Sequence, residues 1–141
     1  TQISIAELFT DLKKLFPEEE FQFEVPPPEL KLNADRTQIE QILINLLKNA
    51  REACSRKSDK KIQVKARKLS AGNTTLTISD NGEGILPDVL DKIFVPFFTT
   101  KTSGSGIGLS LCKQIMTLHE GSINVKSEVG KGSCFILTFP K

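Results

Sequence analysis

Hydrophobic positions along this chain change period several times, and each change marks an element. Ser4-Ile5-Ala6-Glu7 reads as a capping box, in which the serine hydroxyl and the glutamate satisfy orphan groups of a first helical turn. Behind it Ile5, Leu8, Phe9, Leu12, Leu15 and Phe16 recur at helical spacing and predict an amphipathic helix ending near Pro17. Phe21, Phe23 and Val25 then alternate with polar neighbours, as do Leu30 and Leu32 beyond Pro26-Pro27-Pro28, which predicts two short strands around a tight connection. The prolines lack the N–H that a central strand must donate, so these strands belong at an edge. From Asp35 onward Ile39, Ile42, Leu43, Leu46, Leu47, Ala50, Ala53 and Cys54 form one stripe of 3.6-residue period, the clearest helical pattern in the chain.

The polar run 55–60 closes that helix. Residues 62–66 and 76–79 alternate on either side of Gly72-Asn73 and read as an antiparallel hairpin. Residues 87–93, opened by Pro87, suit a short helix, residues 95–106 show little periodicity and read as a long loop, and a helix is predicted from Ile107 to about Leu118. Residues 123–127 and 134–139 complete the strand set, joined across Gly130-Lys131-Gly132. No internal repeat and no linker interrupts the pattern, so one domain over 1–141 is expected.

Composition bounds this picture. With 141 residues and 38% hydrophobic content the chain is long enough to bury one core and too short for two ordinary ones. Its 19 Lys+Arg and 17 Asp+Glu leave a formal charge of +2 and are interspersed, so nothing points to a nucleic-acid or membrane partner. Cys54, Cys112 and Cys134 are odd in number and lack paired spacing, which fits free thiols in a reducing compartment. No apolar run approaches the roughly 18 residues of a membrane span and no signal segment opens at Thr1, so a soluble, cytoplasmic fragment is expected, compatible with a membrane-anchored parent protein.

Three segments carry candidate chemistry. Asn45 and Asn49 sit one turn apart on one flank of the long helix, beside its apolar stripe, and a neutral amide oxygen suits a Mg²⁺ that takes its charged ligands from phosphates. Either amide alone is compatible with simple solvation. Asp80-Asn81-Gly82-Glu83-Gly84-Ile85 follows a predicted strand, where glycines allow close approach to a flat ligand and a buried carboxylate can accept from an adenine amino group, although such a cluster alone is also ordinary turn chemistry. Gly104-Ser105-Gly106-Ile107-Gly108-Leu109-Ser110 puts glycines at a helix start, where free N–H groups and the helix dipole attract phosphate. Its spacing matches neither the GxxxxGK[ST] pattern nor a dinucleotide fingerprint.

With Asn45-Leu46-Leu47-Lys48-Asn49-Ala50, the Asp80–Ile85 segment, Phe94-Val95-Pro96-Phe97-Phe98-Thr99-Thr100-Lys101 and the glycine-rich 104–110 arriving in that order, the chain closely resembles the catalytic ATP-binding domain of sensor histidine kinases, in the GHKL or Bergerat ATPase and kinase superfamily. The four segments match that family's N, G1, F and G2 boxes, and residues 130–135 look like its closing glycine, small-hydroxyl and aromatic element. Any one box is weak; four in order are highly specific. The resemblance implies an α/β (α+β) two-layer sandwich, a mixed, mostly antiparallel sheet under about three helices, with ATP between the helices and a lid over about 97–106.

Box by box, the resemblance implies that Asn49 ligates Mg²⁺, that Asn45 lies near the phosphates, and that Asp80 takes the adenine amino group. It also implies that Gly82, Gly84 and Ile85 shape the base pocket and that Phe94, Phe97 and Phe98 anchor the lid. Thr100 and Lys101 fall at the nucleotide, with Lys101 reaching the terminal phosphates and completing a catalytic set with Asn45 and Asn49. The backbone of Gly104, Ser105, Gly106, Ile107, Gly108 and Leu109 would wrap the phosphates, and Ser133 would join a water network at the adenine. His119, the single histidine, is not the phosphoacceptor but a structural or solvated residue.

The activity implied is transfer of the γ-phosphate of Mg-ATP to a histidine on a separate helical dimerisation domain, absent here, so this fragment alone is not expected to phosphorylate itself. The partners implied are ATP, that phosphoacceptor domain of the same or a partner subunit, and a response regulator, with a homodimeric parent and a monomeric fragment. Two other readings stay open: a superfamily ATPase or serine kinase, and a non-enzymatic nucleotide-binding or degenerate interaction module. Related ATPases such as gyrase carry a glutamate where Asn45 stands, to activate water; the intact G1 and G2 boxes speak against degeneration.

Overall fold

A computed structural model describes residues 1–96 and 108–141. Its elements run β1 (Gln2–Ser4), α1 (Ile5–Leu15), β2 (Phe21–Phe23), β3 (Lys31–Asn33), α2 (Arg36–Ala53), β4 (Ile62–Lys68), β5 (Thr74–Asp80), α3 (Pro87–Leu90), α4 (Gly108–Leu118), β6 (Ser122–Glu128) and β7 (Gly132–Phe139).

The helices start where local chemistry says they should. Ser4 Oγ accepts from Glu7 N–H at 3.3 Å at the head of α1, and Asp35 Oδ1 accepts from Gln38 N–H at 3.0 Å at the head of α2. α1 buries Ile5, Leu8, Phe9 and Leu12, and α2 buries Ile39, Ile42, Leu43, Leu46, Leu47 and Ala50. Each large apolar side chain among these contributes about 1.5–3 kcal/mol by leaving water. Arg51 of α2 fastens the two helices further: it pairs with Glu18 at 2.5 Å and lies over the rings of Phe16 and Phe21.

Five strands form one sheet in the order β2-β4-β5-β7-β6, with β2 parallel to β4 and the other pairs antiparallel. Alternation sorts each strand into two faces. Ile62, Val64 and Ala66, Leu76 and Ile78, Ile123, and Phe135, Leu137 and Phe139 are buried, and with the buried faces of α1, α2 and α4 they form one continuous core. The result is a helical layer on a mixed sheet, the α/β sandwich expected.

The two proline-flanked strands depart from the expected arrangement. β2 is indeed an edge strand, but it does not neighbour β3; β3 instead pairs antiparallel with β1 in a separate two-stranded sheet, Ile3 opposite Leu32. β1 holds a single apolar residue, Ile3, so no alternation marks it in the sequence. The short helix opened by Pro87 runs only to Leu90 before turns take over, three residues short of the expected 87–93.

Candidate functional site

The core face of the sheet turns polar at one end. Register places Asp80 of β5 directly opposite Ser133 of β7, and Ser133 directly opposite Ser127 of β6, so the three side chains form a row across three strands. Each sits at the parity of its strand's buried apolar residues: Asp80 continues Leu76 and Ile78, Ser133 precedes Phe135 and Leu137, and Ser127 continues Ile123 and Val125. A carboxylate and two hydroxyls therefore occupy positions where the pattern would otherwise place hydrocarbon.

Burial raises the Asp80 carboxyl above its ordinary value, and hydrogen bonds from the backbone of Gly82 and Ser133 pull it partly back. The Gly82 N–H donates to Asp80 Oδ1 at 2.8 Å, so one carboxylate oxygen is engaged in holding the turn that follows β5. Ser127 Oγ accepts from Ile85 N–H at 2.8 Å, donates to Gly132 O at 3.1 Å and lies 2.8 Å from Ser133 Oγ.

The loop 81–85 is clasped from both sides. A Cβ on Gly82 would lie 2.5 Å from Ala53 O, and Glu83 N–H donates to that same oxygen at 3.1 Å, which docks the end of α2 on the loop. Gly84 has φ +77°, and a Cβ there would collide with the Glu128 carbonyl. Gly130 N–H donates to Glu83 O at 2.9 Å. On their Cβ sides these glycines meet neighbouring backbone, from α2 at Gly82 and from the β6–β7 turn at Gly84.

Asn81 is a site-shaping residue that sequence reading passed over as a turn former. Its Oδ1 accepts from Lys61 N–H at 2.9 Å, its Nδ2 donates to Asp59 O at 2.8 Å and its N–H donates to Lys61 O at 3.1 Å, tying the loop to the α2–β4 connection. Ser127 was also missed, although its place at core parity in β6 is the signal that could have found it.

Along α2, Asn45, Asn49 and Ala53 follow at four-residue intervals on one flank, and Asn45 and Asn49 are half-buried. The Ala53 end meets the loop after β5. At the other end a Cβ on Gly108, the first residue of α4, would lie 2.7 Å from Asn45 Oδ1. Eight residues of helix separate these contacts by about 12 Å. Asn49 stands between them, and Asn45 Nδ2 donates to Gln41 O at 3.2 Å.

Leu109 and Ile85 pack partly buried against the core, as does Phe94, whose ring lies 5.8 Å from Lys113 Nζ. Phe97, Phe98, Thr100, Lys101, Gly104, Ser105, Gly106 and Ile107 lie outside the described residues. The structure therefore brings Asp80, Gly82, Gly84, Ile85 and Ser133 together at the sheet end, and Asn45 and Gly108 at the helix end.

His119 lies elsewhere. Its Nε2 accepts from Asp35 N–H at 3.1 Å and its Nδ1 is 2.9 Å from Ile115 O, which makes it a structural bridge between the head of α2 and the tail of α4. The cysteines are free; burial pushes the Cys112 thiol up to about 12 and raises Cys54, so both are poor nucleophiles.

A half-buried carboxylate beside small hydroxyls, a glycine-bearing loop and a helix flank of amides joining it to the head of another helix define a nucleotide-binding α/β domain. The chain belongs to the histidine kinase-, DNA gyrase B- and HSP90-like ATPase family, whose model matches residues 34–141. Within that family it is a histidine-kinase catalytic domain. Sensor histidine kinase ZraS of Salmonella typhimurium is 40% identical over 110 residues, which are 78% of this chain and 23% of that protein. The catalytic domain of histidine kinase ThkA in a nucleotide-free form is 36% identical with a TM-score of 0.86, covering 100% of this chain and 95% of that one. ThkA in complex with the response regulator protein TrrA matches at 32% identity and a TM-score of 0.79, covering 100% of this chain and 41% of that chain. The chain spans about a quarter or less of the length of the curated relatives it matches.

Proposed function

We propose that this chain binds Mg-ATP and donates its γ-phosphate to a histidine on a separate helical dimerisation domain, as the catalytic half of a two-component sensor. The observation that carries the reading is the flank of α2, which touches the loop after Asp80 at Ala53 and the head of α4 at Asn45. A nucleotide laid along it has its base at the polar end of the sheet and its phosphates at a helix N-terminus.

The donor set suits the metal. Asn49 offers a neutral amide oxygen between the two ends, the kind of ligand that leaves most of the charge on Mg²⁺ to be met by phosphates. Bound Mg-ATP supplies the transferable phosphoryl group and the charge that stabilises its transfer. The protein's part is positioning: Asp80 and Ser133 hold the base, Asn45 and the α4 backbone from Gly108 and Leu109 hold the phosphates, and Lys101 meets the terminal ones. Asn45 carries no basic lone pair that could take a proton from water, so transfer to an imidazole is favoured over hydrolysis.

The same reading places the domain in the cytoplasm, makes the parent protein a homodimer and gives it a response regulator as its downstream partner, as ThkA has in its complex with TrrA. No helix among the described residues is long and apolar enough to cross a membrane.

Calorimetric titration of the chain with a non-hydrolysable ATP analogue, in Mg²⁺ and in chelator, tests the proposal. Metal-dependent binding is expected, followed by acid-labile phosphorylation when a histidine-bearing helical domain and ATP are added. Absence of binding under both conditions would overturn it.

A further inference from the structure

The row Asp80, Ser133, Ser127 contains a hydroxyl pair whose proton positions are dictated by its surroundings. A serine hydroxyl has one proton to give and two lone pairs to receive. Ser127 Oγ receives the Ile85 N–H at 2.8 Å, and it faces the Gly132 carbonyl at 3.1 Å, an atom that can only accept. Its one proton therefore goes to Gly132 O. The remaining contact, 2.8 Å to Ser133 Oγ, must then be made by the Ser133 proton. The opposite assignment would leave Ser127 Oγ and Gly132 O, two acceptors, facing each other at 3.1 Å with no hydrogen between them.

With its proton committed to Ser127, Ser133 presents only lone pairs to anything else it meets. It stands beside Asp80 on the same face of the sheet, and Asp80, when ionised, also presents only acceptors. Two neighbouring side chains thus accept and neither donates. The Ser127 hydroxyl touches Ile85 and Ser133 but is one strand further from Asp80, so it acts through them.

We infer that Ser127 is a positioning residue that sets the hydrogen-bonding polarity of the base pocket: by taking the Ser133 proton it keeps Ser133 an acceptor, and so selects a purine bearing a 6-amino group over one bearing a 6-oxo group. The inference rests on the nucleotide reading above and deepens it by naming a specificity determinant on β6. A site of paired acceptors gains from a donor and is left facing another acceptor by a carbonyl, the situation in which hydrogen-bond selection is strongest.

Equilibrium titration of this chain with Mg-ATP and with Mg-ITP, in which a 6-oxo acceptor replaces the 6-amino donor and N1 gains a proton, tests it. The 6-O-methyl form of ITP, whose N1 is unprotonated as in ATP, is run alongside to isolate position 6. Ser127→Ala frees the Ser133 proton and should lower the ratio of ATP to ITP affinity by roughly three- to tenfold, the range of one hydrogen bond. Ser133→Ala should lower the ratio in the same direction, and Ser127→Thr, which keeps the hydroxyl, should hold it near that of the unaltered chain. An unchanged ratio in Ser127→Ala, equal weakening of both nucleotides, or a collapsed ratio in Ser127→Thr would overturn the proposal. Asp80→Asn, run in parallel, separates the two levels: if it abolishes the preference while Ser127→Ala does not, only the role of Ser127 falls. If Asp80→Asn also changes nothing, or the unaltered chain binds neither nucleotide, the placement of the base falls and the role of Ser127 with it.

Discussion

Gly108 of α4 and Asn45 of α2 stand so close that a methyl group on the glycine would lie 2.7 Å from the asparagine Oδ1. The head of one helix is therefore seated on an amide of another, and that seat exists only because residue 108 has no side chain. Gly108→Ala should force Asn45 aside and weaken binding of a Mg-bound ATP analogue by roughly tenfold, about 1.4 kcal/mol. Alanine is the better helix former, so thermal stability should hold or fall only slightly. Calorimetry and a melting curve on the same sample would show whether affinity is lost without the fold; unchanged affinity would remove this contact from the site.

Asn49 sits on the flank of α2, outside its buried stripe, so its truncation should leave the core intact and cost at most about 1 kcal/mol of stability. Asn49→Ala should remove the Mg²⁺-dependent part of nucleotide binding, leaving similar affinities with metal and with chelator. A preserved difference between those two titrations would take the metal away from Asn49.

Burial raises the Asp80 carboxyl, so between its ordinary value and the raised one the folded chain keeps a proton that the unfolded chain has released. The contribution of Asp80 to stability therefore falls as pH rises through that window and is level above it. Asp80→Asn should abolish this component of the pH dependence of unfolding. Preference for ATP over ITP should move the other way, strengthening as pH rises and the carboxylate ionises; taking the ratio cancels the titration of the phosphates. A ratio flat across the acid range would show that the ionised carboxylate does not read the base.

His119 joins Asp35, 84 positions away, to Ile115 one turn back in its own helix, and stacks edge-on against Phe139. Because Nε2 accepts from a backbone N–H, the ring proton sits on Nδ1 and points at the Ile115 carbonyl. His119→Ala should cost about 1–3 kcal/mol in urea unfolding, from two hydrogen bonds and lost packing, while nucleotide affinity stays within a factor of two or so. A large loss of affinity at full stability would give His119 a part in binding.

Much of this was legible in the sequence by itself, wherever the determining interactions are local. The stripe of α2, the capping box of α1 and the hairpin of β4 and β5 each depend on residues within a turn or a tight loop, and the structure places them where the local patterns do. Alternation alone also puts Asp80 on the face of Leu76 and Ile78, and the order of the four boxes pointed to the family. Only the tertiary structure decided what depends on register between distant strands. The partner of β3, the parallel pairing of β2 with β4, the row from Asp80 through Ser133 to Ser127 and the bridge from His119 to Asp35 all join segments whose neighbours in space are far apart in sequence. A period records which side of an element is buried, because burial acts on each residue separately. It carries no record of which other element does the burying, since any apolar face of matching shape would satisfy it equally, and that choice is made by the packing of the whole chain.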